Sequence, residues 1–156
     1  MPTLVLIYEP PYRCALDPRR LDELRGRFPD VRIEYFADRD QMGERTADAE
    51  VIAGEISPAN FVRAGRLRWF HTWAAGADPL LFPEMVESPV LLTCSRGNGA
   101  YPLAEHALML MLMLNRDAPR WLRAQQERRW DWFMHGELNG LVCGIIGLGH
   151  SGQQFV

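Results

Sequence analysis

An apolar run and three spaced glycines follow one another in Leu141-Val142-Cys143-Gly144-Ile145-Ile146-Gly147-Leu148-Gly149-His150-Ser151-Gly152. The apolar run predicts a strand buried on both faces, and the residues around Gly152 predict the start of a helix. A glycine-rich turn between a strand and a helix is typical of α/β units built on a parallel sheet. We therefore expect the last residues of the chain to begin such a unit.

The same glycines predict a loop that binds a dinucleotide. In Gly147-x-Gly149-x-x-Gly152 the first glycine makes the tight turn and the second lets the backbone approach a pyrophosphate. The third lets the helix pack against the strand, and amides at the positive end of the helix dipole hold the phosphates. The candidate cofactor-binding residues are Gly147, Gly149, His150, Ser151 and Gly152. The alternative is a glycine-rich turn that binds no ligand.

The choice between NAD and NADP is open. The acidic residue that binds the ribose is expected roughly 20 residues after the glycines. That position lies beyond Val156. We therefore expect NAD or NADP as the cofactor, without a preference.

The first hundred residues alternate between strand and helix patterns. Each helix begins with a proline in its first turn, and Asp17 and Asp78 are predicted to cap two of them. Strands that alternate with helices predict a parallel sheet with helices on its faces. The predicted strands are 3–8, 31–35, 51–53, 69–74 and 90–94, and the predicted helices start at 17–18, at 58 (through 67) and at 78–79 (toward 85).

A long helix is predicted to open at Pro102. Its stretch from Ala107 to Leu114 is apolar nearly all round, so we expect it to be buried. Pro119 should interrupt it. An arginine- and tryptophan-rich segment follows, up to Phe133.

The composition of the chain excludes several classes of function. The chain has 156 residues, 47% of them hydrophobic, and a net charge of -3, which fits a globular domain and argues against a nucleic-acid-binding surface. All 17 basic residues are arginine, so a lysine mechanism is excluded. The arginines from 116 to 129 are therefore interpreted as a solvated or subunit-contacting face. Cys14, Cys94 and Cys143 are expected to be reduced, packed thiols.

No segment has the pattern of a targeting signal or a membrane span. The opening apolar run from Thr3 to Ile7 lacks a cationic flank and a cleavage site. The run from Ala107 to Leu114 is far shorter than the roughly 20 residues that a spanning helix needs. We expect a cytoplasmic protein without a membrane partner.

Four ordered blocks resemble the D-isomer-specific 2-hydroxyacid dehydrogenase family. They are Trp73-Ala74-Ala75-Gly76-Ala77-Asp78, Ala104-Glu105-His106-Ala107, Glu137-Leu138-Asn139-Gly140 and Gly144-Ile145-Ile146-Gly147-Leu148-Gly149. The resemblance implies a flavodoxin-like substrate lobe over 1–100. It implies, over 101–156, the long linking helix and the first strand of an incomplete Rossmann lobe. It also implies a homodimer for the complete protein.

The resemblance assigns substrate binding to the backbone amides of Ala75 and Gly76. In the family, the loop that ends in Gly-x-Asp holds the carboxylate of a 2-keto or 2-hydroxy acid. Glycine after a strand end lets main-chain donors converge on an anion, which fits this role. Glu105 and His106 are adjacent on a helix and do not face each other, so we interpret them as structural.

No catalytic residue and no metal ligand is predicted within residues 1–156. The family's arginine, histidine and carboxylate all lie in the second half of its chain. We therefore expect this chain to be the N-terminal portion of an NAD(P)-dependent oxidoreductase that is inactive alone. Two alternatives are a non-catalytic nucleotide-sensing or protein-interaction module on the same fold, and an inert truncation that self-associates.

Overall fold

The computed structural model describes residues 3–8, 17–37 and 39–156, which form two units dividing between Arg96 and Gly97. The first unit holds one sheet of five parallel strands in the order β2-β1-β3-β4-β5. This is the flavodoxin-like order, so the predicted fold class is confirmed. The strands are β1 (Thr3–Tyr8), β2 (Val31–Phe36), β3 (Val51–Ala53), β4 (Trp69–Thr72) and β5 (Leu91–Cys94).

The core of this unit follows the register of the central strands. Leu6 pairs with Ile52, Ile52 pairs with Phe70, and all three side chains are fully buried. Phe61 and Phe82 meet edge to face beside them, with ring centroids 5.3 Å apart. Strands buried on both faces need continuous apolar sequence, which is why β1 was recognisable from its composition.

In the part of the first unit that the structure describes, four helices lie beside the sheet: α1 (Pro18–Arg27), α2 (Arg39–Arg45), α3 (Pro58–Arg63) and α4 (Pro83–Val86). The predicted cap of α1 is confirmed, because Asp17 accepts a hydrogen bond from the Arg19 amide at 2.9 Å. The predicted cap at Asp78 is wrong. Ala77 precedes a single 3₁₀ turn there, and no side chain caps it. Pro83 disfavours helical backbone at Phe82, so α4 starts anew instead of continuing from Asp78.

The second unit contains α5 (Ala100–Asn115), α6 (Ala118–Gln126) and α7 (His150–Phe155). Pro119 lies in the first turn of α6, where its missing N–H costs nothing. The strand predicted over 141–146 is not formed, because no segment of residues 97–156 pairs with it. A strand exists only through a neighbour's backbone hydrogen bonds.

The predicted burial of α5 is also wrong. Leu108 is 46% exposed and Leu114 is 77% exposed, since α6 and α7 are the only other helices of this unit and they leave these side chains uncovered. Glu105 and His106 are exposed as well. Cys94 is half-buried, but Cys143 is exposed, which contradicts the prediction of a packed thiol there, and Cys14 lies outside the described residues. No helix of the described residues is long and apolar enough to cross a membrane.

An ion-pair cluster after α6 makes the second unit sensitive to acid. Arg120 donates to both oxygens of Asp131, at 2.7 and 2.8 Å, and Arg129 lies 3.1 Å from the same carboxylate. These hydrogen bonds, that of Arg120 foremost, hold the pKa of Asp131 well below its ordinary value of 3.8. The carboxylate therefore stabilises the folded state above that ordinary value, and the contribution disappears as the pH falls toward the lowered pKa.

We expect Asp131→Asn to lower the melting temperature at pH 7 and to have a progressively smaller effect in acid. The melting temperatures of wild type and variant should differ by a constant amount from pH 7 to about pH 4 and then approach each other steadily down to pH 2.5. Glu127→Gln is the control, because Glu127 contacts Arg129 alone at an exposed position. A difference for Asp131→Asn that does not change with pH would contradict this account.

Candidate functional site

The carboxyl edge of the parallel sheet carries a turn at Trp73–Gly76, directly after β4. In open α/β sheets, ligands bind in the crevice outside this edge. Ala75 and Gly76 are exposed. Within the part of the chain that the structure describes, their amides donate to no protein acceptor. Two neighbouring N–H groups without a protein acceptor are able to donate to the same anion.

Hydrogen bonds hold the other backbone groups of the turn. The Ser95 amide donates to the carbonyl of Ala74 at 3.0 Å and to that of Thr72 at 3.1 Å. The Ala74 amide donates to the Thr72 hydroxyl at 3.2 Å. The Cys94 thiol donates to the Ala75 carbonyl at 3.4 Å. Because the carbonyls of Ala74 and Ala75 and the amide of Ala74 are engaged, the amides of Ala75 and Gly76 are the N–H donors that the turn leaves for a ligand.

A second anchor ties the turn to the centre of the sheet. The Trp73 indole N–H donates to the carbonyl of Tyr8, at the end of β1, at 2.9 Å. Tyr8 lies against Gly54, the residue after β3, so closely that a Cβ at Gly54 would collide with the Tyr8 carbonyl oxygen. β1 and β3 are the strands between which the sheet order reverses. The turn is therefore fixed to the point where such sheets bind ligands.

A row of polar and aromatic side chains lies on β4 and β5 beside the turn. The two ring nitrogens of His71 contact hydroxyls, Nδ1 that of Thr93 at 2.9 Å and Nε2 that of Ser95 at 3.2 Å. The ring meets Trp73 edge to face at a centroid distance of 5.3 Å. No role was predicted for these residues. Their alternate spacing, with His71 opposite Thr93 in the register, was the available signal.

The glycine loop at the start of α7 has the backbone that its spacing predicts. Gly147 has a φ of +97°, a conformation that favours glycine, and nothing lies near a Cβ built there. A Cβ at Gly152 would collide with the Gly147 carbonyl oxygen, so only glycine allows the helix to start this close. Space around Gly149 is open. These three positions meet the three requirements of a dinucleotide loop.

The amides of the loop are available to a ligand. The first helical hydrogen bond of α7 runs from the Gln153 amide to the Gly149 carbonyl at 3.0 Å, which leaves the amides of His150, Ser151 and Gly152 before it. Gln153 also donates its side-chain amide to the Leu148 carbonyl at 3.0 Å and closes the loop. Gln153 was not predicted to take part, because no sequence pattern distinguishes it from an ordinary helical glutamine.

His150 and Ser151 have different surroundings. The His150 ring packs toward Gly97, where a Cβ would lie 3.0 Å from Cδ2. Ser151 lines a cavity of about 420 Å³ with apolar residues of α5 and α7, among them Leu103, Met111 and Phe155. Their assignment to the cofactor therefore stays a prediction. Within residues 3–8, 17–37 and 39–156, no group of three or more His, Cys, Asp or Glu could hold a metal ion.

Comparisons with known proteins agree on one family. The model for the D-isomer specific 2-hydroxyacid dehydrogenase, NAD binding domain, matches residues 108–156. A D-3-phosphoglycerate dehydrogenase of Archaeoglobus fulgidus is 27% identical over 163 residues, which cover 95% of this chain and 28% of the relative. The chain thus spans little more than a quarter of this curated relative.

Solved structures extend the agreement to the fold. A D-isomer specific 2-hydroxyacid dehydrogenase family protein from Aeromonas salmonicida superposes with a TM-score of 0.77 at 26% identity, over 99% of this chain and 48% of that one. The D-lactate dehydrogenase of Aquifex aeolicus, solved with NAD and lactic acid, gives 0.73 at 19% identity, over 97% and 46%. The chain spans about half the length of these structures. Taken together, the family model, the curated relative and the solved structures show that this chain is similar to the D-isomer specific 2-hydroxyacid dehydrogenases and shares their fold.

Proposed function

We propose that this chain supplies the substrate-binding turn and the pyrophosphate loop of an NAD(P)-dependent enzyme that reduces 2-keto acids and oxidises 2-hydroxy acids. The observation that carries the proposal is the pair of exposed, unpaired amides of Ala75 and Gly76 at the carboxyl edge of the sheet. Glyoxylate, hydroxypyruvate and pyruvate belong to the proposed substrate class. The complete protein is proposed to act as a homodimer in the cytoplasm.

The Ala75 and Gly76 amides bind the substrate carboxylate. Hydrogen bonds to an ionised group are roughly twice as strong as neutral ones. Two donors on one rigid turn fix the orientation of the carboxylate and, with it, the direction in which the adjacent C2 points. The hydrogen bonds from Ser95 and Thr72 keep the turn rigid in advance, so little ordering is needed when the substrate binds.

The glycine loop holds the cofactor. Gly147, Gly149 and Gly152 let the backbone approach a pyrophosphate, and the free amides of His150 and Ser151 donate to it. A nicotinamide held there would supply the hydride chemistry at C2 of the acid in the complete enzyme.

This chain alone is proposed to bind without turnover. Reduction of a keto acid needs a proton at the substrate oxygen, delivered by a positioned acid. His71, the histidine nearest the turn along the chain, has both ring nitrogens engaged by hydroxyls. The same engagement favours the second candidate, a nucleotide-sensing module that binds and does not react.

A titration of the ¹⁵N-labelled chain tests the substrate site. We expect pyruvate to shift the amide resonances of Ala75 and Gly76 in a saturable way. Acetone, which keeps the ketone and lacks the carboxylate, should leave them unchanged. Shifts spread over the whole sheet, or none at these two residues up to about 100 mM pyruvate, would refute the carboxylate site.

Two further measurements separate the candidate functions. Calorimetric titration with NADH should show saturable binding, and a mixture of chain, NADH and pyruvate should show no loss of absorbance at 340 nm. Turnover by this chain would contradict the proposed inactivity. If NADH binds and pyruvate does not, the nucleotide-sensing module becomes the better explanation.

A further inference from the structure

The contacts of His71 form a chain that ends at the substrate-binding turn. The Trp69 indole N–H donates to the Thr93 hydroxyl at 2.8 Å, and this hydroxyl also contacts His71 Nδ1 at 2.9 Å. His71 Nε2 contacts the Ser95 hydroxyl at 3.2 Å. Either neutral form of the imidazole satisfies both contacts, because each hydroxyl can donate or accept.

Ser95 is the link between this row and the turn. Its side chain contacts His71, while its amide donates to the carbonyl of Ala74, the residue before the two free amides. Fixing the Ser95 side chain therefore restricts the peptide group that holds Ala74. The direction of the Ala75 amide depends on the same backbone, since its peptide plane contains the Ala74 carbonyl.

His71 touches the turn a second time through Trp73. The two rings meet edge to face, and the Trp73 indole is held at its far end by the Tyr8 carbonyl. Trp73 begins the turn and Ser95 holds its middle, so one imidazole contacts both supports. A half-buried histidine with both nitrogens bonded is well suited to such a role, because its position is fixed from two sides.

We propose that His71 is a positioning residue for substrate binding: through Ser95 it aims the Ala75 and Gly76 amides at the carboxylate. The inference rests on the proposed function insofar as it assigns substrate binding to the turn. That His71 holds the turn in place is a separate statement about the structure of the turn. His71 does not touch the substrate in this account. Its effect is to keep the two donors in their binding orientation.

Two substitutions that retain one contact each test the inference. Glutamine at position 71 places its terminal amide near the position of Nε2 and can still reach Ser95. Asparagine places its amide near Nδ1 and can reach only Thr93. We expect His71→Gln to bind pyruvate within about twofold of wild type, and His71→Asn to bind it about three- to tenfold more weakly. A packing role would weaken binding equally in the two variants.

Hydrogen exchange of the Ser95 amide provides a readout that needs no ligand. His71→Asn should accelerate exchange of this amide about three- to tenfold, while His71→Gln should not. Trp69→Phe is the matched control, since it removes the donor to Thr93 at the end of the row away from the turn and keeps an aromatic ring beside His71. Melting curves of all variants establish that they fold.

The outcomes separate the two proposals. If pyruvate fails to shift Ala75 and Gly76 in wild type, the proposed function is refuted, and Ser95 exchange still decides the role of His71. Equal exchange in the asparagine and glutamine variants, or exchange in His71→Asn that matches wild type, would overturn the positioning role. Faster exchange in His71→Asn alone, with weaker pyruvate binding, supports it.

Discussion

Gly54→Ala is expected to destabilise the first unit by about 2–6 kcal/mol. Gly54 has a φ of +135°, which side chains of L residues rarely adopt, and forcing such backbone costs about 1–3 kcal/mol. The new Cβ would also collide with the Tyr8 carbonyl oxygen. This obstacle is backbone and cannot rotate away, so overpacking adds about 1–3 kcal/mol.

The effect should reach the turn at Trp73–Gly76, which we propose binds the substrate. Tyr8 must move to admit the Cβ, and the Tyr8 carbonyl is the acceptor for the Trp73 indole. We expect a melting temperature lower by on the order of 10 °C or more, together with loss of the pyruvate-induced shifts at Ala75 and Gly76. Thermal denaturation followed by circular dichroism, and the ¹⁵N titration, measure the two effects.

Gly65→Ala is the matched control for this substitution. Gly65 lies in the same unit, and nothing lies within 4 Å of a Cβ built there. Its melting temperature should stay within about 2 °C of wild type, as for most surface substitutions. A Gly54→Ala protein as stable as Gly65→Ala would mean that β1 and β3 do not approach as closely as described.

The strands of the first unit were predictable because their pattern is local. β1 is a continuous apolar run, and Val31, Ile33 and Tyr35 alternate with polar residues, which is strand periodicity. Helix α2 was not predicted, because its local pattern is weak. Its seven residues contain only Met42 as a large apolar side chain, too few to show a period.

The second unit was predicted less well because its elements depend on neighbours. Residues 141–146 are apolar enough for a strand, yet the ladder that defines a strand has no partner within residues 97–156. The apolar character of α5 likewise indicates what a helix can bury and does not determine what covers it. A sequence pattern indicates which apolar face of a segment can be buried. The structure shows whether a neighbouring element covers that face.

The residues of the candidate site were also predictable only in part. Gly147 and Gly152 were predictable, since the positive φ of the first and the close contact of the second are backbone requirements that favour glycine. The row from Trp69 to Ser95 was not, because its residues lie on two strands and meet only through the register of His71 with Thr93. The alternate spacing within each strand shows which residues share a face, but it does not show which residue of the other strand each one meets.

Gly152→Ala should abolish or strongly weaken NADH binding while leaving the first unit intact. The Cβ of alanine would overlap the Gly147 carbonyl oxygen and lie 3.6 Å from Ile145 Cγ2. The start of α7 must then move away from the turn, and the amides of His150 and Ser151 move with it. Displacement of two donors from a pyrophosphate should cost at least about 1.4 kcal/mol, a tenfold loss of affinity.

Gly144→Ala is the matched control for this substitution, because it also replaces a glycine by alanine but introduces no steric collision. A Cβ at Gly144 meets nothing within 4 Å, so this variant should bind NADH within about twofold of wild type. Calorimetry with NADH compares the two, and the pyruvate shifts at Ala75 and Gly76 should persist in each variant. Equal affinity of the two variants would mean that the glycine loop does not hold the pyrophosphate. A selective loss in Gly152→Ala would tie cofactor binding to one close contact, between the third glycine and the turn made by the first.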